Sequence, residues 1–387
     1  MIIRSFLPIL TVLLFISCKN DPPVVKSDET SQTEQEYFED YESSEYKWGF
    51  IDRAGNLTIE AIYDDCRDFS EGLALVNFEG RWGYINTKGE NVIPHAYSMA
   101  TNFSSGIARV TDFDKKQFLI DKNGHQVLEI THDEVKDFKD GLAMARKGGL
   151  WGLITPSGEA VLPLNFEQIK MIDPKLYRIK SGGKYGIIDR SGQILADPVF
   201  DKINIEGTAP YPARKDGING LIQKDFTWIE SSFKKIYPFS GLDKTIAKDE
   251  KFQLINQKAE VISSLEFEEI RPLGEGKWKF KENGLWGILN QEGEKITDPN
   301  FKLLNRFHDG MLVFGKDDEH WGYIDSLGKV VVPAEFPLNW DFHNGLARFI
   351  TRRGIGFINK EGEITIKPQF LEVKDFNEGL ARVQVFR

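Results

Sequence analysis

Two adjacent apolar positions recur along this chain at a near-constant spacing, as in Phe50-Ile51, Tyr84-Ile85, Leu119-Ile120 and Leu153-Ile154. Successive residues of a β-strand point to opposite faces, so an apolar pair of neighbours predicts a strand covered on both sides. Strands of this kind start at Trp48, Trp82, Gln117, Trp151, Tyr185, Asn219, Phe252, Trp286, Trp321 and Ile355, separated by 33 to 35 residues. A constant period over the whole body is the signature of one supersecondary unit stacked on copies of itself.

The residues around each pair predict the rest of the unit. The second position is Gly in eight units (for example Gly49, Gly83 and Gly152), where a missing side chain lets another group approach closely. The preceding Trp or other bulky residue is expected to fill that contact. After the strand comes Asp/Asn-x-x-Gly, as in Asp52 to Gly55 and Asp325 to Gly328. There the acid or amide caps a turn and Gly takes a positive φ, so a hairpin follows. The return strand is expected to end at or near a Pro (Pro94, Pro163, Pro198, Pro299, Pro333, Pro368), which cannot donate to a ladder. A Phe and then Gly-Leu-Ala, as at Phe69 and Gly72, introduce a third strand that leads into the next Trp-Gly strand.

The predicted fold is therefore all-β: ten three-stranded antiparallel meanders that cross the repeat boundary. The first Trp-Gly strand has no Leu-Ala strand before it, while the chain finishes on Gly379-Leu-Ala-Arg-Val-Gln-Val-Phe. The last strand can thus complete the first sheet, closing a propeller-like toroid without exposed sheet edges. An open β superhelix is the alternative, since any cut through a repeat leaves complementary ends. Units 5 and 6 depart most from the pattern. Ala209-Pro210-Tyr211-Pro212 replaces Gly-Leu-Ala, and Gln223-Lys224-Asp225-Phe226 replaces the Asp-x-x-Gly turn.

Composition adds limits. The chain has 387 residues, 12% aromatics and 35 glycines, in keeping with many short strands. A net charge of −10 without a basic cluster excludes a nucleic-acid backbone as partner. Two cysteines, Cys18 and Cys66, make no disulfide framework, and Cys66 reads as a small buried hydrophobe.

Residues 1–17 read as a signal peptide, with Arg4 before an apolar run too short to span a bilayer. Phe15-Ile16-Ser17-Cys18 resembles the lipobox of bacterial lipoproteins, apart from Phe15 where Leu is usual. The resemblance implies lipid on Cys18, a membrane anchor and an outer-membrane address in the cell envelope, on the periplasmic face or the cell surface. Residues 18–46 are acidic and poor in aliphatics, which predicts a disordered tether with a reach on the order of 30 Å. The body, residues 47–387, resembles the WG (KWG) repeat family through motifs such as Lys47-Trp48-Gly49-Phe50-Ile51-Asp52 and Trp321-Gly-Tyr-Ile-Asp. That family implies a β-rich scaffold and transfers no catalytic residue.

No catalytic signature, metal spacing or cofactor motif stands out. Six histidines are scattered, and Lys316 to His320 lacks the alternating ligands of a calcium loop and reads as a hairpin tip. Trp228, Trp278 and Trp340 fall outside the Trp-Gly position and are the candidate ligand-facing aromatics, against inter-repeat packing as the plainer reading. The expected function is a non-enzymatic, monomeric envelope lipoprotein that binds a protein or peptide through its repeat surface. The alternative is glycan binding or, more remotely, glycan hydrolysis.

Overall fold

The computed structural model describes residues 46–239, 241–317 and 319–386. The expected signal peptide, Cys18 and all of the tether except Tyr46 lie outside them. The described body is all-β, with ten small antiparallel sheets arranged as a ring, here called blades 1 to 10. Blade 2 is typical: a short strand Asp65–Cys66, the Leu-Ala strand Leu73–Phe78, the Trp-Gly strand Arg81–Asn86 and the return strand Asn91–Tyr97. Blades 3 to 10 occupy residues 99–129, 134–166, 168–200, 202–231, 235–265, 269–301, 303–336 and 346–370.

The expected three-stranded meander is present in every blade, and nine blades add the short strand as a fourth. In blade 10 a single bridge from Asn339 to Phe349 stands in its place. In six blades this strand has only two residues and so no periodicity to read, and it lengthens to six residues only in blades 5, 8 and 9.

The paired apolar positions explain the ring. Ten buried clusters occupy the ten spaces between successive blades. In every blade the first residue of the pair enters the cluster shared with the following blade and the second enters the cluster shared with the preceding one. Tyr84 packs with Phe103, Ala108 and Ile120 of blade 3, whereas Ile85 packs with Phe50, Ile59 and Tyr63 of blade 1. All four of Phe50, Ile51, Tyr84 and Ile85 are at most 1% exposed. Each such side chain contributes about 1.5–3 kcal/mol on burial, and neither face of the strand is dry without both neighbours.

The close approach at the second-position Gly is made by the return strand. Trp82 pairs with Tyr97 but Tyr84 with Ile93, so the return strand carries two extra residues in a bulge. A Cβ on Gly83 would lie 2.8 Å from both the Ile93 carbonyl oxygen and the His95 amide nitrogen. On Gly152 it would meet the Leu162 and Pro163 carbonyl oxygens at 2.5 and 2.7 Å. The expectation that the preceding Trp or other bulky residue fills this contact is corrected: at Gly83 and Gly152 bulged backbone does, while at Gly287 the Phe280 ring, and at the unbulged Gly220 the Ile229 carbonyl and the Trp228 ring, stand nearest. The bulge also corrects the role of Pro, which sits inside the return strand (Pro94 within Asn91–Tyr97) where no ladder donor is required.

The ring is closed by the chain ends. Blade 1 combines Tyr46–Ile51 and Leu57–Tyr63 with Glu372–Val373 and Ala381–Phe386. Tyr46–Ile51 pairs without a break along Ala381–Phe386, from Tyr46 opposite Phe386 to Ile51 opposite Ala381. Further bonds across the seam repeat those between internal blades. Glu378 accepts from the Glu71 and Gly72 amides at 2.7 and 2.8 Å, as Glu71 accepts from Gly106 at 2.9 Å and Asp309 from Gly345 at 2.7 Å. The open superhelix is excluded for these residues.

Two outcomes follow. Deleting residues 379–387 should lower the melting temperature of the whole cooperative transition, whereas a loss confined to the last unit would contradict closure. Gly152→Ala should cost about 1–3 kcal/mol in urea unfolding from overpacking against backbone, and a neutral result would show that the bulge yields.

Candidate functional site

The recurring polar residues are taken up by the architecture. Asp52 accepts from the Ala54 and Asn56 amides at 2.9 Å each. Its carboxyl is held below the ordinary value first by the Asn56 side chain and then by backbone donors. Gly55 takes φ +85°, and a Cβ there would come within 2.9 Å of Ile366 in the return strand of the preceding blade. Asp121 and Asp189 cap their turns in the same manner.

The short strands face the ring axis. A cavity of about 700 Å³ is lined by residues of four successive blades, including Lys235, Glu269, Arg306 and Asp341 from the short strands of blades 7 to 9 and the loop of blade 10. Only the axial surface is shared by so many blades. Along this wall a cation of the Leu-Ala strand repeatedly donates to a short-strand carbonyl of the next blade. Arg178 reaches the Ile203 carbonyl at 2.9 Å, Lys279 that of Leu304 at 2.7 Å, and Arg348 that of Val373 at 3.0 Å. Arg109 does so to Val135, and Arg382 to Cys66 at 2.7 Å across the seam. Cys66 itself is fully buried, and burial pushes its thiol pKa up.

A second cavity, of about 490 Å³, opens between blades 5, 6 and 7, on the side where the Asp-x-x-Gly turns lie. Both departures from the repeat line it: Ala209 and Tyr211 from one, Lys224 and Phe226 from the other, with Leu176 and Leu242 opposite. The turn forms despite its altered sequence, with the Phe226 amide bonded to the Gln223 carbonyl at 3.0 Å. Phe226 holds φ +67°, a conformation that costs a bulky residue about 1–2 kcal/mol. The reason lies in the preceding blade. Where other return strands present a branched side chain (Ile, Leu, Val or, at Gly328, Thr297) to a turn glycine, blade 5 presents Ala196, and the Phe226 ring joins its cluster. Thr208 keeps the link to blade 7, donating its amide to the Phe239 carbonyl at 2.8 Å and accepting from Gly241 at 2.8 Å.

The three tryptophans singled out by sequence line neither cavity. Trp278 is 5% exposed and meets Tyr237 edge-on at 5.9 Å, so packing covers the ring expected to face a ligand. Trp228 packs edge-on against Phe200 at 5.3 Å and lies over Gly220, and Trp340 is half-buried beneath the Arg348 guanidinium at 4.7 Å. Lys316 to His320 is a hairpin tip, with the Lys316 amide bonded to the His320 carbonyl and Asp317 bonded to His320; Asp318 lies outside the described residues. Sequence reasoning missed one pair: His308 and His343 stand 5.8 Å apart on neighbouring blades, facing Asp341 and Asp375. Their separation of one repeat was the available signal. Among the described residues no group of three or more His, Cys, Asp or Glu is placed to hold a metal.

A double-mutant cycle tests the cleft's packing. Phe226→Gly alone should destabilise by about 1–3 kcal/mol, and adding Ala196→Ile should restore the usual pair with a coupling of at least ~1 kcal/mol. Strict additivity would show that the two positions share no packing.

No curated protein matches the chain in sequence. Among solved structures, a eukaryotic initiation factor aligns over 88% of this chain and 98% of its own at 10% identity, with a TM-score of 0.46. BamB from Moraxella catarrhalis aligns over 78% of this chain and 98% of its own at 14% identity, with a TM-score of 0.32. The family profile described as WG containing repeat matches nine times, at residues 48–82, 82–115, 118–151, 151–185, 185–209, 254–286, 286–319, 321–350 and 355–385. The unmatched stretch, residues 210–253, contains the divergent turn and most of blades 6 and 7, which nonetheless form. The chain belongs to the WG containing repeat family.

Proposed function

We propose that this protein is a non-catalytic interaction scaffold of the bacterial cell envelope, anchored by lipid on Cys18, and that it engages a protein or peptide partner through the cleft between blades 5 and 7. One observation carries the reading. The polar residues that recur around the ring are used in turn caps and blade-to-blade bonds, while the two departures of units 5 and 6, at Ala209 to Tyr211 and at Lys224 to Phe226, meet at a single cleft. A redundant ring supplies a rigid frame, and specificity resides where redundancy is broken. The cleft mixes apolar walls (Ile172, Leu176, Leu242) with Lys224, Asp173 and Gln257, the composition of a site that orients a partly apolar ligand. Protein or peptide ranks above glycan because Trp278, a ring that would stack on a sugar, is covered by packing.

The test places a photo-reactive residue at Leu242 in the cleft and, as a control, at Leu327, which is 79% exposed on a turn of blade 9. In whole cells a discrete, saturable crosslinked species should form from position 242 and not from 327. No saturable species, or equal yield from both positions, would contradict the proposal. The anchor is read separately: Cys18→Ser should move the protein out of the membrane fraction.

A further inference from the structure

The axial cavity of blades 7 to 10 carries an inference independent of the cleft. Five blades place a cation at the same position of the Leu-Ala strand, and each donates to the same carbonyl of the next blade. Two residues beyond that carbonyl stands the group that faces the cation. At three interfaces it is an aspartate: Asp68 lies 2.5 Å from Arg382, Asp375 2.7 Å from Arg348, and Asp137 3.9 Å from Arg109. At a fourth, facing Arg178, it is Ile205. At the fifth, the segment Leu304-Asn305-Arg306-Phe307 puts Arg306 where Asp375 stands in Val373-Lys374-Asp375-Phe376.

Lys279 therefore meets an arginine in place of a carboxylate. The rest of the cavity does not compensate. Of its two carboxylates, Glu269 is taken by Arg271, with Nε to Oε1 at 2.6 Å, and Asp341 faces His308 at 3.4 Å. Among the described residues, Lys235, Lys279 and Arg306 have no carboxylate within ion-pair distance. The lining thus holds four cations (Lys235, Arg271, Lys279, Arg306) against two carboxylates in a protein whose net charge is −10. Half-burial first, then Arg271 and more weakly Arg306, press the Lys279 pKa below its ordinary value against the opposing pull of Glu269. Of the four cations only Lys279 is half-buried, Lys235, Arg271 and Arg306 being exposed, yet cations that converge with too little counter-charge repel one another, so a ligand that supplies negative charge is stabilised there.

We propose that this axial cavity is a binding site for a small multivalent oxyanion, a carboxylate- or phosphate-bearing molecule, with Lys279 and Arg306 gripping the anionic group in the place that Asp375 and Asp68 fill at other interfaces. Arg306 offers a planar fork suited to two oxygens at once, and Lys279 a point charge held in place by the Leu304 carbonyl. Lys235 and Arg271 line the same cavity and accommodate further charge on the ligand. At about 700 Å³ the space admits a small molecule rather than a folded partner.

The test uses the full-length chain with pyrophosphate and citrate as probes in calorimetric titration at low ionic strength. At least one probe should bind saturably at one site, more weakly as salt is raised. Arg306→Asp restores the carboxylate of the other interfaces, so it should keep or raise the melting temperature while weakening the anion by about tenfold or more. Lys279→Met should weaken binding comparably without adding a charge. Absence of saturable binding by both probes, or binding left intact by Arg306→Asp in a folded protein, would overturn the proposal. A polyglutamate peptide forms a further arm: if it alone binds, in an Arg306-dependent manner, the small-molecule assignment is wrong. Position-242 crosslinking reads the cleft independently, so failure of one site leaves the other standing.

Discussion

Each unit of this protein contains one strand that must be dry on both faces. A single sheet cannot satisfy that demand, because burying Tyr84 needs blade 3 and burying Ile85 needs blade 1. An array with free ends would leave one face of each terminal Trp-Gly strand in water. Closing the ring supplies the missing neighbour, and the chain does so by placing Ala381–Phe386 beside Tyr46–Ile51. The seam uses the same parts as the internal interfaces: a buried cluster containing Ile51 and Phe357, a glutamate on two turn amides, and an arginine on a short-strand carbonyl.

This constraint explains which residues recur. The second-position Gly recurs because return-strand backbone crosses it, and the turn Gly because a branched side chain of the preceding blade packs on it. Where the second requirement is relaxed by Ala196, Phe226 takes the turn position in a costly backbone conformation and helps line a cleft. Local departure from the repeat and the appearance of a cavity are thus one event in packing terms.

Much of this was legible in the sequence. The apolar pairs, the Asp-x-x-Gly turns and the orphaned last strand are local patterns with direct physical meaning, and they specify two-sided strands, hairpins and closure. The bulge was not legible, because a Pro inside a bulge and a Pro ending a strand look alike in one dimension, as Pro94 illustrates. Nor was the pairing of the axial cations, which joins residues such as Arg348 and Asp375 that lie 27 apart on different blades. The divergence of units 5 and 6 was visible as divergence, but its convergence on one cleft depends on Ala196, an unremarkable residue in a return strand. The substitution of Arg306 for the aspartate facing Lys279 acquires meaning only once that bond is known to recur around the ring.

Lateral packing that runs unbroken through the join of the chain ends is the claim on which the account rests. It is tested most directly by the distance between spin labels placed at residues 46 and 386 of the otherwise intact protein. Tyr46 and Phe386 are opposite one another in the closing ladder. A closed ring predicts one narrow, short distance that lengthens only with global unfolding. A long or broad distribution in the native protein, or one that broadens well before the rest of the structure melts, would contradict it.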